Sequence, residues 1–321
     1  MYRDLRAAAE SGWDFSSRWL KNDGLESVDA SEVIPCDLNA VFARFERILA
    51  ALAAFLAADP PPEGAAAAWD RAQAATLEPP GLAFVPGSRF AAAASRRAAA
   101  IDACLRDGCG WRDGALRADG TVALLRERGP ALSDYFPLWA GVADEWPMRD
   151  QIDLVSNLAL SGLLQDGGAA ATLVETGQQW DAPNAWPPLQ FVLDQGLRRL
   201  ADLPSASRLA DDLRDKWLAS CRAGHERDGH GREKMDALRP GEPGSGGEYA
   251  VQPGFAWTSG VALRFLRDRA ADAVAGGSKT PRRRPPSARR PPSARFGAGK
   301  QQSARRSSSK SPPRTAQAPF D

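Results

Sequence analysis

The sequence predicts an all-α protein, and three observations support this fold class. Apolar residues recur at helical spacing over several long stretches of the chain. Proline and glycine separate these stretches, as expected where helices end. No stretch alternates apolar and polar residues at the period of two that indicates a half-buried strand. With roughly eight or nine helices of ordinary length, the expected arrangement is a set of helical hairpins.

The predicted helices follow one another along most of the chain. The clearest covers residues 38–58 (LNAVFARFERILAALAAFLAA) and ends before the prolines at 60–62, since proline cannot continue a helix. Similar amphipathic stretches predict further helices at 66–75, 95–106, 150–164, 188–202, 205–223 and 258–274.

Composition divides the chain into two parts. With 321 residues, 43% of them hydrophobic, the chain is long enough to bury a core. The net charge of +1 hides an asymmetry, because residues 278–321 hold twelve of the 41 basic residues and one of the 40 acidic ones. That segment is rich in Pro, Arg and Ser and nearly devoid of apolar residues, so it cannot bury enough surface to fold. We therefore expect a folded part at 1–276 and a basic, disordered tail at 277–321.

Cysteine and histidine usage predicts neither a disulfide framework nor a metal site. The four cysteines lack the paired spacing of a zinc ribbon, and Cys221, His225 and His230 have no matching cluster elsewhere. Met1 is not followed by the apolar run of a signal peptide, and no stretch is long enough to span a bilayer. We expect a soluble monomer, cytoplasmic as written, without a metal or an organic cofactor.

Three connections between predicted helices combine aromatic residues with acids and amides. They are ESGWDFSSRW at 10–19, QQWDAPNAWPPLQ at 178–190 and GSGGEYAVQPGFAWTSG at 244–260. Loops on a rigid helical scaffold are where binding groups usually lie. Cleavage of an acetal between two sugars requires a proton donor and either a nucleophile or a base, and glycosidases supply two carboxylates.

Two residues are candidates for these carboxylates. Asp14 lies between Trp13 and Phe15, and aromatic surroundings favour a protonated carboxyl that can act as a general acid. The alternative is a purely structural role for Asp14, as the N-cap of a helical segment at 16–20. Glu233 lies between Arg232 and Lys234, whose positive charges favour the ionised form that a general base needs. Its alternative is a solvated, charged surface.

The second and third loops also contain candidate substrate contacts. Trp180 and Trp186 offer apolar faces for pyranose rings, and Asp181 and Asn184 offer partners for sugar hydroxyls. Alternatively, this segment is a proline-fixed turn that packs two tryptophans into the core. Glu248 follows a glycine run that would let the backbone approach a ligand closely, although no P-loop pattern is present.

Taken together, ESGWDFSSRW, QWDAPNAWPPLQ and GGEYAVQPGFAWTSGV resemble the trehalase family of glycoside hydrolases. VIPCDLNAV at 33–41 and LVETGQQW at 173–180 extend the resemblance over most of residues 1–276. It implies part of an (α/α)6 toroid of the six-hairpin glycosidase type. It also implies hydrolysis of α,α-trehalose to two glucose molecules with inversion, without a metal or an organic cofactor.

By this resemblance Asp14 matches the family's general acid, and Glu233, in EKMD where the family has EKYD, matches its general base. Gly12 and Glu248 match positions that contact the sugar. The family's N-terminal motifs do not occur, and PGSRF at 86–90 lies in the wrong place to replace its PGGRF signature. The chain therefore resembles the C-terminal part of a trehalase, a family that is often periplasmic or secreted in bacteria.

Three alternatives remain at this stage. The chain could be a catalytically inactive trehalase fragment, or another (α/α)6 glycosidase. The basic tail could bind polyanions, but it has no interleaved aromatic residue apart from Phe296, so we expect no nucleic-acid partner. The expected partner is trehalose, as substrate, and no membrane is involved.

Overall fold

The computed structural model describes residues 1–22, 24–58, 87–108 and 110–275. They belong to one compact unit, Met1–Gly276. The predicted helix at 66–75, Cys109 and the predicted tail at 277–321 lie outside the described residues. Helices dominate the described part, and the prediction of an all-α fold is confirmed. None of the described helices has the length and apolar character needed to cross a membrane.

The described part contains eight α-helices, six of which match predicted helices. They are α1 (Tyr2–Glu10), α2 (Cys36–Ala58), α3 (Gly87–Leu105), α4 (Phe136–Ala140), α5 (Met148–Leu160), α6 (Pro187–Leu197), α7 (Pro204–Asp228) and α8 (Ala256–Ala275). Helices α1 and α4 have no predicted counterpart. Both are short, so each offers few turns over which helical periodicity can be recognised.

Helix ends differ from the prediction where glycine and tertiary contacts decide them. The predicted helix at 150–164 ends at Leu160, and Gly162 then adopts a left-handed conformation with φ +81°. Helix α7 runs five residues beyond its predicted end, to Asp228. There Gly229 takes the left-handed cap position and donates its N–H to the carbonyl of His225.

Nine short strands connect the helices in the described part. They are β1 (Val33–Ile34), β2 (Arg106–Asp107), β3 (Gly110–Trp111), β4 (Gly114–Leu116), β5 (Val122–Leu124), β6 (Leu164–Gln165), β7 (Gly168–Ala169), β8 (Asn184–Ala185) and β9 (Met235–Asp236). Strands β1, β4 and β5 form one antiparallel sheet, and β8 pairs with β9. Strands of two or three residues are too short to show a period-two pattern.

Helical hairpins form the core. Helix α2 packs against α3 and α4, while α6 packs against α4, α7 and α8. Leu138 of α4 and Leu197 of α6 are completely buried, as are Leu154 and Leu158 of α5, which packs against α7. The pair β8–β9 joins the connection before α6 to the connection after α7, with Asn184 opposite Asp236. This pairing brings two distant loops together at one place.

Candidate active site

The loop at 10–19 presents Asp14 on a buried base. Gly12 follows α1 with φ +82°, and Trp13 is buried with 4% exposure while Asp14 remains partly exposed. A 3₁₀ turn, Ser17–Trp19, follows, and its N-cap is Ser16, whose hydroxyl accepts from the N–H of Arg18 at 3.1 Å. Asp14 is therefore not the cap of this segment, and its carboxylate is not used for capping.

Arg18 fixes the same loop to the helical scaffold. Its buried guanidinium binds both carboxylate oxygens of Asp37 at 2.6 and 2.7 Å. It binds both oxygens of Asp113 at 2.6 and 2.8 Å. The guanidinium also lies over the rings of Trp13 and Trp19, at 4.9 and 4.4 Å from their centroids. Two bidentate ion pairs in a buried setting leave this loop little freedom.

Asp181 joins the second loop to the first from within the protein. Its side chain is completely buried, and its carboxylate accepts five hydrogen bonds. The donors are the hydroxyls of Ser16 (2.7 Å), Ser17 (2.8 Å), Thr172 (3.0 Å) and Thr176, and the main-chain N–H of Ser17 (2.7 Å). In addition, Trp180 donates its main-chain N–H to the main-chain carbonyl of Phe15 at 3.0 Å. With its acceptor positions occupied, Asp181 ties loops together instead of facing an open cleft.

The other predicted sugar contacts of the second loop are buried as well. Trp186 is 1% exposed and stacks on Trp180, 7% exposed, with ring centroids 4.0 Å apart. Trp180 in turn lies 5.0 Å from Trp13. The amide of Asn184 donates to the carbonyl of Asp181 at 3.0 Å and accepts from the N–H of Ser245 at 2.8 Å. These side chains are therefore packed inside the protein, and the polar groups of Asn184 and Trp186 already bond within it.

Glu233 lies just before β9 and is buried with 3% exposure, so it is not on a solvated surface. Its carboxylate accepts from the hydroxyl of Tyr249 at 3.1 Å and lies 3.5 Å from the N–H of Gln252. Its main-chain carbonyl accepts from the indole N–H of Trp257 at 2.7 Å. The neighbouring Arg232 turns away and pairs with Asp228 at 2.9 Å.

Lys234 turns inward, and its charge is close enough to interact with both predicted catalytic carboxylates. Its ammonium donates to the carbonyl of Gly246 at 3.0 Å and lies 3.5 Å from the side-chain oxygen of Gln179. Burial lowers the pKa of Lys234 from its usual 10.5 to about 8, although the charges of Glu233 and Asp14 act in the opposite direction. One ammonium therefore interacts electrostatically with both carboxylates, which come from loops that are far apart in the sequence.

Gln179 and Tyr249 complete this arrangement. The side-chain amide of Gln179 donates to the main-chain carbonyl of Asp14 and lies 3.5 Å from the Asp14 carboxylate. Burial raises the pKa of Tyr249, and its hydrogen bond to Glu233 raises it further. The hydroxyl of Tyr249 also lies against the Gln179 side chain. Asp14, Gln179, Lys234, Tyr249 and Glu233 thus form one connected group, called here the carboxylate bridge.

Gly12 and Glu248 lie at the exposed side of the site. A Cβ atom added to Gly12 would meet nothing within 4 Å. Glu248 is exposed, and its carboxylate makes no hydrogen bond or ion pair with any other described residue. It follows Gly246 and Gly247, whose φ angles are +72° and +86°. The N–H of Gly247 donates to the carbonyl of Gly177 at 2.9 Å, which fixes this loop to the second loop.

Sequence reasoning missed Gln179, Lys234 and Tyr249 as members of the site. Lys234 is part of a charged triplet, and such triplets usually lie on the surface. Gln179 directly precedes Trp180, and Tyr249 directly follows Glu248, and in each case the neighbour was the predicted site residue. Only their position inside the three motifs connects them to the site.

The fold and these loops define the class: an all-α protein of packed helical hairpins, with its acidic and aromatic groups on the connections between helices. A model of the trehalase family matches residues 1–269. The chain belongs to the trehalase family.

Similar proteins agree with this assignment. The periplasmic trehalases of Salmonella newport (strain SL254) and Salmonella paratyphi B are each 34% identical over 306 residues, covering 90% of this chain and 46% of theirs. Neutral trehalase Nth1 from Saccharomyces cerevisiae has a similar solved structure, with a TM-score of 0.57 and 19% identity over 86% of this chain and 44% of that one. The chain thus spans about half the length of these relatives.

Proposed function

We propose that this chain carries the catalytic carboxylates of an inverting α,α-trehalase, with Asp14 as general acid and Glu233 as general base. The observation that supports this most strongly is the carboxylate bridge. Gln179 lies 3.5 Å from the Asp14 carboxylate and 3.5 Å from the Lys234 ammonium, and Tyr249 lies 3.1 Å from the Glu233 carboxylate. These contacts support a site in which both carboxylates face one small region. Family membership supplies the substrate class, a disaccharide of two glucose units.

The proposed reaction moves two protons and breaks one bond. Asp14 donates its proton to the glycosidic oxygen as the bond to the anomeric carbon breaks. Glu233 takes a proton from a water molecule that attacks the same carbon from the opposite face. The carboxyl groups of inverting enzymes are roughly 6.5–9.5 Å apart, which leaves room for this water. Inversion at one ring yields one β-glucose and one α-glucose.

We assign the sugar contacts to the exposed residues of the site. Gly12 leaves space beside Asp14, and Glu248 has a carboxylate that is free to accept from sugar hydroxyls. Trp180, Asp181, Asn184 and Trp186 are proposed to position these groups from below. The remaining contacts would come from the part of the relatives that this chain does not match, which is more than half of their length.

A catalytically inactive chain is the second candidate, and the same coverage favours it. If the missing contacts hold trehalose, Asp14 and Glu233 can be correctly placed while the substrate binds too weakly to react.

The relatives' name places those proteins in the periplasm. The cellular location of this chain stays a prediction.

Glucose release from trehalose tests the proposal. Loss of a general acid or base lowers the rate by about 100-fold or more, so Asp14→Asn and Glu233→Gln should each nearly abolish release. Glu226→Gln is the matched control, since Glu226 is exposed on α7 and, among the described residues, pairs only with Arg222. NMR of the first products should show α- and β-glucose in equal amounts. Production of α-glucose alone would mean retention and would overturn the assignment of Glu233.

The same assay on a longer chain separates the two candidates. Activity in the 321-residue chain means that this chain holds enough substrate contacts by itself. Activity only in a chain extended to the length of the relatives means that this chain holds the catalytic pair without enough substrate contacts. Activity of both substituted variants at the level of the unsubstituted chain contradicts the proposed roles.

A further inference from the structure

Lys234 is a buried charge without a direct ionic partner. It is completely buried, and no carboxylate oxygen of the described residues lies within 4.0 Å of its ammonium. Its compensation consists of the Gly246 carbonyl at 3.0 Å, the Gln179 oxygen at 3.5 Å and the face of Trp186 at 5.1 Å. Burying an ammonium in this way is unfavourable, and an apolar residue of similar length would avoid the penalty. The position of the charge therefore calls for a role other than stability.

The contacts of Lys234 determine how the Gln179 amide is oriented. An ammonium only donates hydrogen bonds, so the end of the amide that faces it is the oxygen. A main-chain carbonyl only accepts, so the end that faces the Asp14 carbonyl is the NH₂ group. The backbone of Gln179 is fixed too, because its carbonyl accepts from the indole N–H of Trp186 at 2.9 Å. Lys234 thus holds the amide with its donors directed at Asp14.

Lys234 also acts on the loop that contacts Glu233. Its bond to the carbonyl of Gly246 fixes the start of the segment that contains Tyr249. Tyr249 then donates its hydroxyl to Glu233 at 3.1 Å. The same side chain therefore reaches one carboxylate through Gln179 and the other through the loop at 246–249.

We propose that Lys234 is a positioning residue that sets the placement of both catalytic carboxylates, acting on Asp14 through Gln179 and on Glu233 through the loop carrying Tyr249. The proposal rests on the assignment of Asp14 and Glu233 as acid and base. Without Lys234 the oxygen of the Gln179 amide loses this donor, so the amide and the Asp14 carbonyl that accepts from it are held less firmly. The distance between the two carboxylates would no longer be fixed at the value that the attacking water requires.

NMR of the nitrogen-labelled 321-residue chain tests the positioning role without depending on activity. In the unsubstituted protein the side-chain NH₂ signals of Gln179 should be well separated and slow to exchange with solvent. Lys234→Met should bring the two signals closer together and speed their exchange with solvent, because the amide then has one fixed end instead of two. Lys216→Met is the control, because Lys216 lies on α7 and pairs with Asp212 and Asp166. Unchanged Gln179 signals in a folded Lys234→Met protein would overturn the proposal.

A second measurement keeps the proposal testable if Lys234→Met does not fold. Carbon-labelled lysine allows Lys234 itself to be titrated in Asp14→Asn and in Glu233→Gln. Each substitution removes a negative charge that raises the pKa of Lys234, so each should lower it below about 8. Absence of a shift in either variant would mean that Lys234 does not connect the two carboxylates.

Where glucose release is measurable, Lys234→Met should lower kcat by roughly tenfold or more and change KM little, because misplaced catalytic groups affect the chemical step. If the chain releases no glucose but shows the expected NMR changes, the proposed activity is contradicted and the positioning role is not. If the chain releases glucose but Lys234→Met causes no NMR change, the positioning role is contradicted and the proposed activity is not.

Discussion

Asp181, which joins the first two loops, and Lys234, in the carboxylate bridge, are both completely buried, and their surroundings differ. Asp181 accepts five hydrogen bonds, which satisfy its carboxylate and hold it in place. Lys234 has two acceptors and an aromatic face, and burial lowers its pKa to about 8. A satisfied buried charge contributes to stability, whereas an incompletely compensated one usually serves function.

Replacing Asp181 should therefore destabilise the protein strongly. Asp181→Asn replaces one acceptor oxygen with an NH₂ group that faces hydroxyl and N–H donors. We expect the free energy of unfolding to fall by about 2–4 kcal/mol, as for other broken buried networks. Urea unfolding measures this loss. Asp166→Asn is the control, since the Asp166 side chain is 83% exposed and should be nearly neutral. Equal stability of the two variants would contradict the anchoring role.

Lys234 should make the stability depend on pH above neutrality. Its pKa falls from the usual 10.5 to about 8 on folding, so between these values the unfolded chain holds a proton that the folded chain does not. The contribution of this group to the free energy of unfolding therefore rises with pH in that window, on the order of 1–2 kcal/mol. Urea unfolding between about pH 7 and about pH 10 should show the rise in the unsubstituted chain.

Lys234→Met should remove this part of the pH dependence, and Lys216→Met should leave it in place. If the Lys234→Met chain gains as much stability with pH as the unsubstituted chain, other groups are responsible.

At the residue scale the sequence predicts the ends of the carboxylate bridge and misses its middle. Asp14 and Glu233 stand out because acids beside aromatic or basic residues suggest acid–base chemistry, and the trehalase motifs support them. Lys234 does not stand out, since burial of a lysine depends on loops that are distant in sequence. Local spacing likewise cannot show that Asp181 lies among hydroxyls from two other segments.

The third loop depends on glycines that let it approach the second loop closely. Gly246 has φ +72°, and a Cβ atom added there would lie 2.3 Å from the carbonyl oxygen of Gly177. Gly254, in the same loop, has a similar φ of +68° but nothing within 4 Å of an added Cβ. The two positions thus share a backbone conformation and differ in the contact.

Alanine at these two positions should separate the two effects. Gly254→Ala should destabilise by about 1 kcal/mol, the penalty for a left-handed alanine. Gly246→Ala should destabilise by about 2 kcal/mol or more, since the loop must also move away from Gly177. Urea unfolding gives both values. Similar losses in the two variants would mean that the close contact is unimportant.

At the element scale, strong local signals gave accurate helices. Helix α2 begins two residues before its predicted start and includes its predicted end, because the prolines at 60–62 follow it. Helix α3 begins at Gly87, eight residues before the predicted start, and the added turns include a run of alanines, which favour helix strongly. The pairing of β8 with β9 was not predicted, since two-residue strands form only when the fold brings distant loops together.

At the scale of the whole molecule, α2 has an unusual distribution of side chains. Its buried face consists of small residues, Cys36, Ala40, Ala43 and Ala53, which let α3 and α4 pack closely. Seven of its large apolar residues are exposed by 41–66%: Leu38, Val41, Phe42, Phe45, Ile48, Leu52 and Phe55. An apolar row of this length on a surface indicates a site of contact with other protein. Since the relatives are about twice as long, the row fits a face that further helices cover in them.

The sequence-based expectation of a monomer stays a prediction, and this exposed row favours the opposite expectation. We predict that the 321-residue chain associates with itself as its concentration rises, because contact between two such rows removes apolar surface from water. Phe45→Ser combined with Leu52→Ser should shift light scattering toward the monomer, since these residues lie two turns apart and are 55% and 51% exposed.

Leu116→Ser is the matched control for this last prediction, because Leu116 is 66% exposed but lies on the β4–β5 hairpin, outside the row. It should leave self-association unchanged. A chain extended to the length of the relatives should remain monomeric without any substitution, since its additional helices would cover α2. If the 321-residue chain is monomeric at every concentration, the apolar row does not mediate self-association. If the extended chain also self-associates, other surfaces are responsible.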